Sequence, residues 1–296
     1  MIRVRVPATS ANIGPGFDAM GLALKMYNEF GFEELKEGID IVGFHEKYNN
    51  EENLVLISVR RLYEAAGAKL KGIRISVKEG IPVSRGLGSS AACIVGGLIG
   101  ANALLNGPLS KDELIALAVE IEGHPDNVVP AFEGGLTVSF VESGIVRHEK
   151  IIFDYERLLL HAMVPDFELS TEKAREALPD SFSLSDAVYN ISRTAMLVAS
   201  LVNGKFENLW NVLNDRVHQP YRSKLIDGFD LIEDKMRELG FDGMFISGAG
   251  PTLMGVLSVP DEKKVLAMKE FLDSMENVWK LEALSIDREG AKIYIE

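Results

Sequence analysis

The sequence predicts a mixed helix-and-strand protein made of two units, with its chemistry carried on glycine-rich loops. Three observations lead to this expectation. Strand-like alternation, as in Ile2, Val4 and Val6 against Arg3 and Arg5, is interleaved with stretches of helical spacing. At 296 residues the chain has room for two domains of ordinary size, and the buried-strand pattern from Leu158 to Pro165 opens a second unit, which puts the boundary between 1–153 and 154–296. Glycines cluster at three places, Gly14 with Gly16, Gly86 with Gly88, and Gly248 with Gly250, where backbone can turn tightly and approach a ligand.

Hydrophobic content of 47% and charged content of 25% are those of a soluble globular protein. The net charge of −13 excludes a binder of nucleic acid backbone, which needs a basic field. No membrane partner is expected either, because the longest apolar run, Ala91 to Leu105, is interrupted by Gly96, Gly97, Gly100 and Asn102 and is a buried helix packed through small residues. Cys93 is the single cysteine, so an intramolecular disulfide and a multi-thiolate zinc site are both excluded. The amino terminus lacks the apolar core of a signal peptide, and the expected location is cytoplasmic.

The first strand is expected to stop at Pro7. The following stretch, Ala8 to Asp18, is dense in turn formers and small polar groups, and Asn12 and Asp18 either ligate a substrate or bond their own turns. Strands around Ile39 to Phe44 and Ile73 to Val77 flank a helix from about Leu54 to Ala66, preceded by Asn53, which could border a nucleotide base. The segment Pro82-Val83-Ser84-Arg85-Gly86-Leu87-Gly88-Ser89-Ser90-Ala91-Ala92 then runs into the helix that ends near Asn106. Its glycines bring several N–H groups to one point, and a helix starting at the serines aims its positive end there, so a nucleotide triphosphate is the expected guest. No lysine of the usual P-loop is present; a hydroxyl of Ser89 or Ser90 is suited to magnesium instead. Arg85 either reaches phosphate or does not.

Ser110-Lys111-Asp112-Glu113 is a capping box for a helix that Gly123 stops. Glu120 and Glu122 fall in its last turn, where the helix dipole disfavours carboxylates by a few tenths to ~1 kcal/mol each unless a cation is near. Magnesium at Glu120 is the sharper expectation, with surface solvation of both acids as the alternative. Next, Gly123-His124-Pro125-Asp126-Asn127 offers several ligand groups in one turn, and Gly134-Gly135 feeds a strand. In the second unit, helices are expected at Ser170 to Arg175, Leu184 to Leu201, Leu231 to Leu239 and Lys263 to Met275, with Arg222 in a break between helices. Phe245 to Leu257 is a strand, glycine loop and strand, and Trp279 to Ile286 with Lys292 to Ile295 are two closing strands.

Three segments, Pro7 to Leu24, Pro82 to Leu98 and Ser247 to Leu257, resemble in order and spacing the motifs of the GHMP kinases, and the resemblance spans nearly the whole chain. Within that superfamily, Pro7 to Asp18 and Glu122 to Asn127 look most like the homoserine kinase branch. The resemblance implies an α+β fold with an N-terminal domain like domain 2 of ribosomal protein S5 and a ferredoxin-like C-terminal domain. It implies ATP and Mg2+ as cofactors, metal ligands at Ser90 and Glu120, and homoserine contacts at Asn12, Asp18, His124, Asp126, Arg175 and Arg222, with Asp126 and Asn12 as the catalytic residues. The implied reaction converts ATP and L-homoserine to ADP and O-phospho-L-homoserine, a step toward threonine, and a homodimer is implied as well. An acceptor carrying a carboxylate and an ammonium suits arginine forks and carboxylate acceptors. Asp126 either orients or deprotonates the hydroxyl, the other route being direct passage of the proton to phosphate. Alternatives are a kinase of this type acting on another small alcohol such as mevalonate, and a nonenzymatic nucleotide sensor on the same scaffold.

Overall fold

The structure is a computed structural model that describes residues 1–206 and 209–295. In chain order its regular elements are strands β1 (Ile2–Ala11), β2 (Met20–Glu34) and β3 (Gly38–Val42), helix α1 (Leu54–Ala65), β4 (Gly72–Lys78), and helices α2 (Ser89–Leu104), α3 (Lys111–Glu122) and α4 (Pro125–Glu133). Then come β5 (Leu136–Glu142), β6 (Ile145–Ile151), β7 (Leu159–Pro165), α5 (Thr171–Glu176), α6 (Leu184–Val202), α7 (Leu209–Val212) and α8 (Gln219–Arg222). The chain continues through α9 (Phe229–Leu239), β8 (Gly243–Ile246), β9 (Leu253–Leu257), α10 (Glu262–Asp273), β10 (Trp279–Leu284) and β11 (Lys292–Ile295).

The strands form a seven-stranded sheet in the order β11-β1-β2-β4-β3, with β5 joined to β2 and β6 to β5, and a four-stranded sheet in the order β10-β7-β9-β8. This is the mixed α+β architecture expected. The two strands foreseen near the carboxyl end separate: β10 pairs with β7, whereas β11 returns to pair with β1. The first strand does not stop at Pro7. It continues to Ala11, and the missing N–H is absorbed by a register shift against β2 between Pro7 and Ala8. Strand pairing therefore carries the chain straight to Asn12, at the edge of the cleft.

α2 crosses the first sheet with glycines against aromatic rings. A Cβ at Gly96 would strike Phe30, and one at Gly100 would strike Phe32. Both rings are fully buried, each burial being worth roughly 1.5–3 kcal/mol. The small-residue helix is thus a device for bringing backbone close to the sheet, which fixes where its amino end points. In the second sheet, β7 alternates: Leu160, Ala162 and Val164 join the core shared with the first sheet, while Met163 joins a second core with Ile232, Met236, Met268 and Leu272 of α9 and α10. Among the described residues no helix is long and apolar enough to cross a membrane.

Candidate active site

A cleft of about 300 Å³ opens where the glycine-rich segments converge. Its floor is the amino end of α2. Gly88 holds a left-handed φ of 69°, and no side chain caps the helix, so its first N–H groups face the cleft without a protein partner among the described residues. The loop before it is sewn to its neighbours. Thr9 N–H donates to Leu87 O at 3.1 Å, Ser247 Oγ donates to Gly86 O at 2.7 Å, and Leu169 N–H donates to Ser84 O at 3.2 Å. Side chains are excluded at both loop glycines, since a Cβ on Gly86 would meet Ser247 O and one on Gly88 would meet Thr9 Oγ1. Arg85 is spent inside the protein: Nε donates to Pro165 O at 2.8 Å, Nη2 to Asp166 O at 2.6 Å and Nη1 to Val83 O at 3.1 Å. It anchors the loop to the end of β7.

The metal-ligand expectation needs one correction. Ser90 Oγ donates to Oε2 of Glu122 at 2.7 Å, whereas Glu120 points away and pairs with Arg61 at 2.5 Å, its side chain 62% exposed. Two residues apart on a helix is about 200° of rotation, so only one of the two acids can face α2. Glu122 continues the stripe of Ile115 and Ala118, both buried; Glu120 lies off it. Burial pushes the Glu122 carboxyl above its usual range, with Asp126 adding to the effect and Ser90 and His124 opposing it. The pair suits magnesium. A hydroxyl and a carboxylate are hard oxygen donors, and their 2.7 Å separation compares with about 2.9 Å between adjacent oxygens of an octahedral site with bonds of 2.0–2.1 Å. No cluster of three or more His, Cys, Asp or Glu able to hold a metal occurs among the described residues, and magnesium on a nucleotide needs none, because phosphates and water complete its shell.

Beyond the loop lies the start of α4, a helix where the sequence predicts a turn. His124 is its N-cap, Pro125 occupies its first position and Asp126 sits in its first turn, where the helix dipole favours a carboxylate. Asp126 is 2% exposed, and its Oδ1 lies 2.6 Å from His124 Nδ1. Burial alone would lower the pKa of His124, but the bond and charge of Asp126, with Glu122 and Asp18, outweigh it and raise the imidazole above its ordinary value. Asn127 joins the group, accepting from Thr9 Oγ1 at 2.8 Å.

Facing α4 are the remaining expected residues. Asn12 and Asp18 adopt left-handed backbone, φ 71° and 54°, an uncommon state for residues other than glycine that clusters at ligand sites. Asn12 Nδ2 donates to Gly248 O at 2.9 Å, and its Oδ1 accepts from Asp18 N–H at 3.0 Å, which leaves one N–H and one lone pair for a ligand. Arg175 grips Asp18 with both nitrogens, at 3.0 and 2.8 Å. Arg222, at the end of α8, is 2% exposed; Nε donates to Ala174 O at 3.3 Å and Nη1 to Gly248 O at 3.0 Å, leaving Nη2 without a protein partner among the described residues. Burial lowers its pKa to about 10, which still leaves it a cation at neutral pH.

Of the site residues expected from the sequence, Pro82, Ala91, Ala92 and Glu120 do not line this cleft, the two alanines being fully buried in α2, while the others do. Asn53 lines it but is occupied: its Oδ1 caps α1 and its Nδ2 donates to Tyr48 O at 2.9 Å, so it has little left for a base. His218 and Asp215 were not among the residues the sequence singled out. His218 had a signal, standing one helical turn before Arg222.

Residues 53–135 match the GHMP kinases N terminal domain. The chain is 46% identical to the homoserine kinase of Clostridium botulinum (strain ATCC 19397 / Type A), covering 99% of this chain and 98% of that protein. It is 48% identical to the homoserine kinase of Clostridium beijerinckii, with the same coverage of 99% and 98%. The crystal structure of homoserine kinase from Cytophaga hutchinsonii superposes with a TM-score of 0.88 at 29% identity, covering 99% of this chain and 97% of that one. The chain belongs to the homoserine kinase family of the GHMP kinases.

Proposed function

We propose that the protein transfers the γ-phosphoryl group of ATP to the side-chain hydroxyl of L-homoserine, giving ADP and O-phospho-L-homoserine, a step toward threonine. The observation that carries this is one cleft holding both the uncapped amino end of α2 and, beside it, a buried arginine with a free nitrogen opposite two carboxylates. The first suits a triphosphate; the second suits a zwitterion.

In this reading the loop from Pro82 to Ala92 holds the phosphates through backbone N–H groups. Ser90 and Glu122 hold Mg2+, which when bound with the nucleotide neutralises charge on the phosphate oxygens. Arg222 meets the substrate carboxylate through Nη2, with Arg175 close by on the rim. Asp18 and Asp126 present acceptors to the ammonium, and Asn12 contributes its remaining N–H. Asp126 already accepts from His124 and, at 3.4 Å, from Asn127, which suits it to orienting the hydroxyl. Passage of the hydroxyl proton to phosphate then completes the transfer. Phosphoryl transfer goes through a loose transition state, so alignment and charge neutralisation provide most of the acceleration. Residues 1–153 in this reading carry the nucleotide, and 154–296 supply the arginines. The setting is the cytoplasm, where ATP is available and a lone thiol stays reduced. A homodimer is part of the same reading, supported by the exposed apolar stripe of Leu184, Val188 and Ile191 on α6.

The test is ADP release with a panel of acceptors, with and without magnesium. Saturable turnover with L-homoserine and none with mevalonate or a sugar is expected. Turnover with mevalonate alone would overturn the acceptor assignment, and nucleotide binding with no acceptor-dependent ADP would favour a sensor.

A further inference from the structure

Arg222 is a buried cation that must stay charged and aimed at a small anion. Two of its nitrogens bond carbonyls, and the third partner of the guanidinium is a side chain, His218, whose Nδ1 lies 3.4 Å from Nη1. The ring is fully buried. Its Nε2 sits 2.8 Å from Gly14 O, and because a carbonyl only accepts, Nε2 carries the proton. Nδ1 is then a lone pair facing an N–H of Arg222, so both contacts are met by one neutral tautomer. Burial lowers the imidazole pKa, against the opposing charge of Asp215, and the cation of Arg222 lowers it further, which agrees with a neutral ring.

The ring is fixed on its other sides. Phe17 stacks on it at 5.3 Å with an interplanar angle of 24°, and the same phenyl ring lies 5.2 Å from the Arg222 guanidinium carbon. Asp215, buried, accepts from the backbone N–H groups of Val217, His218 and Gln219 at 2.9, 2.7 and 2.6 Å and from Asn190 Nδ2 at 2.6 Å, which pins the turn carrying His218. A carboxylate in place of the imidazole would offer Arg222 a better bond and neutralise it. A neutral acceptor orients the fork and leaves its full charge to the ligand.

We propose that His218 is a positioning residue for the acceptor: its neutral ring ties the Gly14 turn to Arg222 and sets the guanidinium so that Nη2 meets the acceptor carboxylate. This rests on the homoserine reading of the cleft and adds to it a residue that touches no substrate.

The two ring nitrogens can be separated by substitution. His218→Asn keeps an acceptor where Nδ1 stands and loses the donor to Gly14. His218→Gln keeps a donor toward Gly14 and loses the acceptor, and His218→Phe keeps ring volume and stacking while losing both. KM for homoserine, KM for ATP and kcat are measured for each folded variant, with thermal melting alongside. Loss of one long hydrogen bond from the Arg222 cation predicts a rise in homoserine KM of about tenfold for Phe and Gln, with ATP KM within about twofold of wild type, and recovery of most of that rise in Asn. Equal rises in both KM values, an unchanged homoserine KM, or better recovery by Gln than by Asn overturns the proposal. Should Phe fail to fold, the Asn and Gln comparison still decides. Failure of the underlying reading looks different, since wild type itself would then not saturate with homoserine.

Discussion

Replacing Glu122 with glutamine separates the metal assignment from the one suggested by sequence. The change is isosteric and removes one negative charge 2.7 Å from Ser90 Oγ. A unit charge pair at 4 Å is worth about 4 kcal/mol at an effective dielectric of about 20, and removing one preorganised polar group from a reacting centre costs about 10²–10³ in rate, or ~2.7–4 kcal/mol. Glu122→Gln should therefore lower kcat/KM by about 10²–10³ and remove most of the magnesium dependence of ATP-analogue binding measured by calorimetry. Glu120→Gln breaks only a solvent-screened ion pair whose two side chains are 62% and 37% exposed, and its turnover should stay within about twofold of wild type. Because burial holds the Glu122 carboxyl above its usual range, the glutamine variant should also melt at a higher temperature than wild type without ligand at pH 8. A near-normal Glu122→Gln enzyme beside a crippled Glu120→Gln enzyme would refute the reasoning.

Arg222→Ala should raise the homoserine KM about 10–100-fold, the worth of a charge-assisted bond, with a smaller effect on ATP KM; equal effects in steady-state kinetics would show the arginine misassigned. Gly86→Ala should destabilise the fold by more than about 1 kcal/mol and weaken ATP-analogue binding, because φ is 73° there and a Cβ meets Ser247 O; unchanged melting and binding would contradict this. His124 has a folded pKa raised above 6.5, so the stabilisation from its charged form is fully present below that value and is lost as pH rises through the folded pKa. The melting difference between wild type and His124→Asn should accordingly shrink from pH 6 to pH 9, and a difference that grows would reverse the assignment.

Much of the fold was legible because local rules and tertiary structure agree. The capping box at Ser110 and the glycine at 123 bracket α3 as read, and Ile73, Ile75 and Val77 lie in β4. The failures have physical causes. Pro7 predicts a stop, but a shift in pairing lets β1 run on. α4 was hidden because its first residues, His124 to Asn127, are good turn formers and Pro130 lies within it. For the site, the type of each residue was visible and its direction was not. Glu120 and Glu122 are equal in composition, and only the phase of the buried stripe through Ile115 and Ala118 separates them. Asn53 looked free until its amide proved to be a helix cap. The contacts that join Asp215 and His218 to Arg222 are not legible in the sequence because they depend on Gly14 and Gly248, more than 20 residues distant on either side.

The contact between Gly86 and the carbonyl of Ser247 bears on protein engineering. The two segments are cast against each other across the sequence, with Thr252 N–H also donating to Arg85 O at 3.3 Å. A chimera that imports the loop of another kinase without its matching hairpin would inherit half of a mould. Transplants intended to alter nucleotide preference should carry 82–92 and 247–252 as one cassette, and single-loop swaps should emerge insoluble or inert.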